Sequence, residues 1–293
     1  MRFLFVDRIL QLVPNQHAFG VKHITPEDHF LTRTHDGRIC FSASLIGEAL
    51  GQLAAWNVMF SHDFSKRPVA GLVNGAYLFR PAYLGETLFL EAFIDGIDEA
   101  AVRYHGVARV GDETIFHLES ALGPLLPMTD FISQEEVRRQ FAEINRPGVW
   151  PPPLTGSTQT IQCDDIRCYP MIFDRVLSCE PRVSMCAEKR VSRAASYFPD
   201  HFPHKPVLPL TVLLECKFQL LHEFLIASNW HDGYQVSEMR KIKMSDFVQP
   251  GDVLMTYLSV KKLAEEEIVL NYRSEVDGTR VCVLDIVLTK KGN

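Results

Sequence analysis

The residues best placed to do chemistry are a histidine and a glutamate in the second half of the chain. His201 precedes Glu215 by fourteen residues, and Pro203, Pro206 and Pro209 lie between them. Because proline restricts the backbone and removes a hydrogen-bond donor, these prolines predict a rigid loop that ends where a helix begins. A histidine and a buried carboxyl group can transfer protons near neutral pH, and burial should raise the pKa of that carboxyl group.

Two long apolar segments must hold the carboxylates in place. Residues 44–60 and 211–227 are too long for strands and are apolar on nearly all sides, which predicts two buried helices. Glu215 lies in the second helix, and Gln219 follows four residues later on the same face. The Gln219 amide is therefore expected to hydrogen-bond the Glu215 carboxylate.

An internal repeat relates the two helices. Matched pairs at one constant spacing are Asp7 and Asp174, Arg8 and Arg175, Lys22 and Lys189, Glu48 and Glu215, and Gln52 and Gln219. A chance similarity would not keep one register over such a distance, so the sequence predicts two copies of one domain. We assign the copies to residues 1–125 and 161–293, with a helix and a proline-rich linker over residues 126–160.

Each copy has the pattern of an α+β fold. Two strands precede the helix, and further strands follow it. The predicted strands cover residues 3–13, 17–24, 171–180, 183–191, 235–244, 252–262, 267–276 and 280–290. This order predicts one long central helix wrapped by a curved antiparallel sheet in each copy. Between the copies, Ser133 and Glu136 form a capping-box pattern, which predicts a short helix over 133–145.

Composition limits the class of protein. The chain has 293 residues with 30 basic and 36 acidic side chains, and its net charge of −6 provides no basic field for nucleic acid. No apolar run reaches the length of a membrane span, and the opening segment is unlike a signal peptide. Seven cysteines without a CxxC pair argue against a zinc site or a disulfide framework. We therefore expect a cytoplasmic protein with no nucleic-acid or membrane partner.

The loop before the second helix carries a family resemblance. The motif HFPHKPVLP at 201–209, followed by Glu215 and Gln219, resembles the hotdog-fold 3-hydroxyacyl-acyl carrier protein dehydratases of the FabA/FabZ type. The segments YPMIFDRV at 169–176 and FVQPGD at 247–252 are similar to the flanking motifs of the same family. The resemblance extends more weakly over the first copy, so a tandem, double-hotdog form is expected.

The resemblance implies a reaction and its partners. Members of this family remove water from a 3-hydroxyacyl thioester to give the trans-2-enoyl thioester, in fatty acid or polyketide-like synthesis. The substrate is carried on the phosphopantetheine arm of acyl carrier protein or coenzyme A, and no metal or other cofactor is implied. Hotdog domains of this family work in pairs with active sites at the seam. We therefore expect the two copies to form an intramolecular pseudo-dimer. Assembly of several such chains into a homo-oligomer remains open.

The first copy departs from the motif at the histidine. The position that matches His201 is Thr34, and His35 beside it is one residue out of register. Threonine cannot act as a base near pH 7, so this copy is expected to lack the base. At the start of the second helix, Leu210 occupies a position where the family usually has glycine, and its side chain is expected to narrow the acyl tunnel. Its backbone N–H can still polarise the thioester carbonyl group.

The paired arrangement assigns the candidate site residues across the two copies. In the family, the histidine and the carboxyl group come from different subunits, which here become halves of one chain. The working site is therefore expected to combine His201 with Glu48. Supporting or substrate-binding residues are Gln52, Phe202, Pro209 and Leu210. The degenerate second seam is assigned to Thr34, Glu215 and Gln219.

Two other functions remain open from the sequence. A hotdog acyl thioesterase would use a carboxylate and water, although hydrolysis does not require the rigid histidine loop. A non-catalytic acyl-carrier binding module is also compatible with Thr34 and Leu210. Whichever of the three functions holds, one basic cluster is expected to dock an acidic carrier protein on the second copy. Its members are Lys189, Arg190, Arg193, Arg240, Lys241 and Lys243.

Overall fold

A computed structural model describes residues 3–34, 36–150, 168–169 and 171–291 of the chain. His35 and residues 151–160 of the predicted linker lie outside these ranges. The limits of the two copies remain a prediction, because residues 151–167 between them are not described.

The first half contains one long helix and ten strands in its described part. They are β1 (Arg8–Val13), β2 (His17–His23), β3 (Leu31–Arg33), β4 (Ile39–Phe41), α1 (Ala43–Ser61), β5 (Lys66–Pro68), β6 (Leu72–Leu78), β7 (Ala82–Tyr83), β8 (Thr87–Ile97), β9 (Ala101–Val110) and β10 (Glu113–Pro127). A 3₁₀ turn (Met128–Asp130) and the helix α2 (Gln134–Ile144) follow. The second half contains β11 (Arg175–Glu180), β12 (Ser184–Arg190), α3 (Leu210–Ala227), β13 (Tyr234–Met244), β14 (Val253–Leu263), β15 (Glu267–Val276) and β16 (Thr279–Lys290).

The two halves share one continuous antiparallel sheet. Its strand order is β1-β2-β8-β9-β10-β6-β13-β16-β15-β14-β12-β11, with β5 paired to β10. The halves join where β6 pairs with β13, placing Ala76 opposite Met239 and Val73 opposite Ile242. The helices α1 and α3 lie against the inner face of this sheet, where the largest cluster of buried apolar side chains is found. The architecture is the predicted α+β tandem double hotdog.

The sequence repeat corresponds to repeated hydrogen bonds. The Asp7 carboxylate accepts from the backbone N–H of His23 at 2.6 Å, and the Asp174 carboxylate accepts from that of Arg190 at 2.6 Å. The Asp7 and Asp174 N–H groups donate to the carbonyls of Val21 and Glu188 in the neighbouring strands. Each aspartate thus holds its first strand against its second, which explains why the motif occurs in both halves.

The opening strand of the first half is shorter than predicted. The prediction was 3–13, whereas β1 begins at Arg8. Before it, the Phe3 N–H donates to the Asp200 carboxylate at 2.7 Å, and the Phe5 N–H donates to the Gln52 side chain at 2.8 Å. Because side chains accept the hydrogen bonds of these backbone N–H groups, the segment does not need a partner strand. In the second half, β11 likewise begins at Arg175 rather than at 171.

The helix α2 covers the outer part of α1. Its first residue follows Ser133, whose hydroxyl oxygen accepts from the Glu136 N–H at 3.2 Å. Phe141 of α2 packs on Phe60 with ring centroids 5.1 Å apart and on Phe64 at 5.3 Å. The segment after the first hotdog is therefore tied to that hotdog by apolar contacts. Within the described residues, no helix is long and apolar enough to cross a membrane.

One turn in each half requires a backbone that glycine adopts readily. Gly85 has φ +89° and donates to the Ile24 carbonyl at 2.8 Å, and Gly251 has φ +102° and donates to the Val191 carbonyl at 2.7 Å. A side chain disfavours this positive-φ region, although no atom would obstruct a Cβ at either position.

We predict that Gly251→Ala lowers the free energy of unfolding by about 1–2 kcal/mol, the cost of a left-handed backbone for a residue with a side chain. Urea denaturation measures the change. Gly233→Ala is the matched control, because its backbone lacks a positive φ and the nearest atom to an added Cβ is 4.0 Å away. Equal losses of stability in the two variants would contradict the backbone explanation.

Candidate active site

The two central helices exchange hydrogen bonds between hydroxyl and carboxylate groups. The Thr211 hydroxyl of α3 donates to Glu48 Oε2 of α1 at 2.8 Å. The Ser44 hydroxyl of α1 donates to Glu215 Oε2 of α3 at 3.0 Å. Ser44 and Thr211 occupy matching positions of the repeat, as do the two glutamates. Each carboxylate therefore depends on a hydroxyl from the opposite half.

The glutamine in each helix supports the glutamate four residues before it, as the sequence predicts. Gln52 Nε2 donates to Glu48 Oε1 at 3.0 Å, and Gln219 Nε2 approaches Glu215 Oε1 at 3.4 Å. Gln52 also binds the opening segment, because its Nε2 donates to the Phe3 carbonyl at 3.2 Å. The Glu48 side chain is consequently fixed from both helices and from the N-terminal segment.

The two glutamates differ in their access to the interior cavity. Glu215 is only 5% exposed, and burial raises the pKa of its carboxyl group against the lowering effect of Ser44 and Gln219. Glu48 is less buried and lines a cavity of about 150 Å³. The same cavity is lined by His201, Phe202, Leu210 and Gln52, but not by Glu215.

Backbone hydrogen bonds hold the His201 loop. The His201 N–H donates to the Tyr197 carbonyl at 2.9 Å, and the His201 carbonyl accepts from the Val207 N–H at 3.0 Å. Further along, the Leu208 N–H donates to the Val248 carbonyl at 2.8 Å, which ties the loop to the FVQPGD segment. The loop is thus anchored before its first proline and again between Pro206 and Pro209, in agreement with the rigid loop that the prolines predict.

The imidazole of His201 has a defined tautomer. Its Nδ1 lies 3.0 Å from the Val207 carbonyl oxygen. Since a carbonyl oxygen only accepts, Nδ1 carries the proton and Nε2 retains its lone pair. Phe202 stacks on the ring at a centroid distance of 4.0 Å, and Phe3 meets it edge-on at 5.6 Å. The ring is therefore held by a hydrogen bond and two aromatic contacts.

The charges around His201 act in opposite directions. Burial lowers the pKa of His201 below its ordinary value, the Glu48 carboxylate opposes this effect, and the Arg67 guanidinium adds to it. A histidine whose pKa is lowered is neutral at pH 7, the form that can accept a proton. The two side chains come from opposite halves and line the same cavity.

The helix α3 brings a backbone donor to the same cavity. Leu210 is its first residue and Pro209 its N-cap. Among the described residues, no carbonyl accepts from the Leu210 N–H, as is usual in the first turn of a helix. Pro209 is buried and does not line the cavity, so its contribution is to begin the helix at this point.

The second seam is arranged differently. Thr34 lies in the turn between β3 and β4, where its hydroxyl contacts the Asp36 carboxylate and the Arg38 carbonyl. The hydrogen bonds of Thr34 in the described residues are therefore local and do not extend to Glu215. Near Glu215 lies Cys40, and burial together with the Glu215 charge raises the pKa of its thiol to about 12. A thiol of this kind is not a nucleophile at neutral pH.

Three residues of this region were not identified from the sequence. Ser44 and Thr211 could have been found, because hydroxyl residues stand at matching repeat positions one turn before each glutamate. Arg67 gave no signal, since it lies in a short strand with no distinctive pattern. Its guanidinium reaches the cavity only through the tertiary fold.

The predicted basic cluster is two separate groups. Lys189 and Arg190 lie on β12, whereas Arg240 and Lys243 lie on β13. Three strands separate β12 from β13 in the sheet, a distance of about 19 Å at the usual strand spacing. In addition, Arg190 pairs with Glu188 at 2.9 Å. The prediction of one cluster is therefore wrong, because two basic segments far apart in the sequence were assigned to one surface without knowledge of the strand order.

Comparison with known sequences finds relatives of the second half of the chain. Residues 169–285 match the FabA-like domain. A 3-hydroxyacyl-[acyl-carrier-protein] dehydratase FabZ from Latilactobacillus sakei is 32% identical over 137 residues, which cover 44% of this chain and 94% of the relative. The FabZ of Thermoanaerobacter sp. is 35% identical over 117 residues, covering 38% of this chain and 79% of the relative.

Comparison with solved structures extends the likeness to nearly the whole chain. The dehydratase domain of the polyketide PpsC from Mycobacterium tuberculosis, in complex with C12:1-CoA, aligns with a TM-score of 0.57 at 10% identity, covering 98% of each chain. The 12:0-ACP thioesterase from Umbellularia californica aligns with a TM-score of 0.54 at 12% identity, covering 94% of each chain. At these identities, the likeness concerns the fold.

The fold and the sequence comparisons together define a double-hotdog protein whose second half retains the HFP loop. Within that class, the chain belongs to the FabA-like family, to which the FabZ dehydratases also belong.

The proximity of His201 and Glu48 predicts a titration that can be measured without an activity assay. We expect the pKa of the His201 imidazole to lie below that of an ordinary histidine, and Glu48→Gln to lower it further, since removal of a negative charge disfavours the imidazolium. Glu215→Gln is the matched control and should leave the value unchanged. NMR of labelled histidine, with His201→Ala for assignment, provides the measurement. A shift in the Glu215 variant alone would refute the arrangement.

Proposed function

We propose that this protein dehydrates 3-hydroxyacyl thioesters to trans-2-enoyl thioesters. The observation that carries the proposal is that His201 and Glu48, which come from opposite halves, line one cavity. The FabZ relatives of the second half, whose names specify this reaction, support the same assignment. The substrate is a thioester of acyl carrier protein or coenzyme A, which presents the acyl group on a phosphopantetheine arm.

In the proposed mechanism, His201 is the base and Glu48 is the acid. Nε2 of His201 takes the proton from C2 of the acyl group, and the C2–H electron pair forms the C2–C3 double bond. The C3–O bond breaks as protonated Glu48 gives its proton to the leaving hydroxyl, which departs as water. The imidazolium and the carboxylate then exchange a proton to restore the starting state.

Two further groups support the reaction in this proposal. The N–H of Leu210 at the start of α3 polarises the thioester carbonyl and thereby stabilises negative charge that develops when C2 loses its proton. Thr211 keeps Glu48 in position through both protonation states, because a hydroxyl group can either donate or accept a hydrogen bond. Gln52 can only donate through its Nε2, so it favours the carboxylate form.

Thioester hydrolysis is the second candidate function. The full-length fold likeness to a 12:0-ACP thioesterase favours it, and a carboxylate such as Glu48 is a suitable group to activate water. Hydrolysis does not need a histidine with a free Nε2 in the cavity, which is the feature that favours dehydration here.

The two reactions yield products of different mass. We expect incubation with a 3-hydroxyacyl pantetheine thioester to give a product lighter by one water, with the thioester intact. Glu48→Gln should reduce the rate by roughly 10²–10⁴-fold, the usual contribution of a general acid or base, and His201→Ala should do the same. Glu215→Gln is isosteric with the first variant and should keep most of the activity, since Glu215 does not line the cavity.

Mass spectrometry of the products decides between the alternatives. Release of free pantetheine thiol in place of an enoyl product would establish hydrolysis, and an unchanged thioester would indicate a binding module. Loss of activity in Glu215→Gln, with activity kept in Glu48→Gln, would show that Glu48 is not the acid. This conclusion would hold even if His201→Ala were inactive as expected.

The role of Thr211 can be tested by removing its hydroxyl alone. We predict that Thr211→Val lowers kcat about tenfold with little change in KM, because Glu48 loses a hydrogen bond of roughly 1.5 kcal/mol without losing its place in the cavity. Thr211→Ser retains the hydroxyl and should restore kcat. A rise in KM in both variants would instead point to a role in packing against the substrate.

A further inference from the structure

A partly buried arginine lies beside the proposed catalytic groups. Arg67 belongs to β5, which pairs with the end of β10, and its side chain lines the same cavity as His201 and Glu48. Its guanidinium carbon lies 4.2 Å from the centre of the Phe202 ring, and its NH1 is 3.9 Å from the sulfur of Met59. The guanidinium is thus fixed at a definite place, between the histidine loop and the far part of α1.

The Arg67 charge has no hydrogen-bonded counterion in the described part of the chain. Its Nε is inaccessible to solvent and has no hydrogen-bond partner there. No carboxylate of the described residues lies within ion-pair distance of it, although the Glu48 charge acts on it through space. Burial lowers the pKa of Arg67 to about 10, so the group still carries its charge at neutral pH.

The Nε–H group of Arg67 is the costly part of this side chain, because a polar atom closed off from water loses its hydration without gaining a hydrogen bond. Isolated ionised groups are strongly disfavoured in protein interiors, and those that occur are paired or bind a ligand. The contacts of the guanidinium with an aromatic ring and a thioether leave its Nε–H group without an acceptor. A molecule that enters the cavity can supply the acceptor that Arg67 lacks within the described residues.

The rest of the cavity wall shows where such a molecule would lie. Val73 and Ala76 of β6 and Met239 and Ile242 of β13 provide an apolar surface across the joint between the halves. A wholly alkyl acyl chain would fit this surface, but it would bury Arg67 further and leave the Nε without a partner. A chain with an oxygen-bearing end group would use both features.

We infer that the substrate is a short 3-hydroxyacyl thioester whose acyl chain carries a carboxylate, and that Arg67 binds this carboxylate. The inference rests on the proposed function for the reaction itself. A cavity of about 150 Å³ is of the size that holds one benzene molecule, which corresponds to an acyl group of roughly six carbons. The guanidinium is suited to a bidentate contact with a carboxylate.

Binding of unreactive analogues tests the inference independently of catalysis. Calorimetry compares pantetheine thioesters of hexanoic acid, adipic acid and adipic acid monomethyl ester. The wild-type protein should bind the adipoyl thioester at least about tenfold more tightly than the other two, the order expected for a hydrogen bond to a charged group. Arg67→Met should abolish this preference. Lys66→Met is the matched control, because Lys66 precedes Arg67 on β5 and its Nζ binds the Glu99 carbonyl outside the cavity.

Each outcome has a definite meaning. Equal binding of the three thioesters by the wild-type protein would overturn the inference, even if Arg67→Met did not fold. A preference that survives in Arg67→Met would overturn it as well. The corresponding 3-hydroxyacyl thioesters are then tested for turnover. Selective binding of the adipoyl thioester without dehydration of its 3-hydroxy derivative would support the Arg67 site and contradict the proposed function. Dehydration of the 3-hydroxy derivative without selective binding of the adipoyl thioester would support the proposed function and contradict the Arg67 site.

Discussion

The structure depends on a reciprocal pair of hydrogen bonds between the two central helices. Thr211 binds Glu48, and Ser44 binds Glu215, so each half supplies the hydroxyl that the other half's carboxylate needs. Removing one partner of a buried polar group costs about 1–3 kcal/mol. The glutamine of the same helix satisfies only one oxygen of each glutamate, so the full set of hydrogen bonds forms only where α1 meets α3. The sheet is continuous where β6 pairs with β13, and this pairing keeps the two helices side by side.

From this symmetric frame the two seams have diverged. One seam keeps the proline-framed loop, the neutral imidazole of His201 and access for Glu48 to the cavity. In the other, Thr34 is used within a surface turn, and Glu215 is closed off among buried side chains. The arrangement is consistent with one half contributing the base and the other the acid, with one working site for each chain. Arg67 adds a further charged side chain to the cavity of the first seam.

Most of the fold was predictable, and the reasons are local. The helix α3 was expected over 211–227 and begins one residue earlier, because Pro209 fixes its start. The pairing of His201 with Glu48 was predicted from the repeat and the family resemblance and stays a prediction, although both residues line one cavity. The segment before Arg8 was not a strand, because Gln52 and Asp200 satisfy its backbone, and no local pattern reports such long-range partners. The charge of Arg67 in the cavity was missed for the same reason.

The claim that His201 and Glu48 act as one unit across the two halves is tested most directly by a double-mutant cycle on kcat/KM for dehydration. Residues that act together are strongly non-additive, so His201→Ala combined with Glu48→Gln should be little slower than the slower single variant. His201→Ala combined with Glu215→Gln should show the product of the two separate effects. Additive losses for His201 and Glu48, with coupling between His201 and Glu215, would contradict the account.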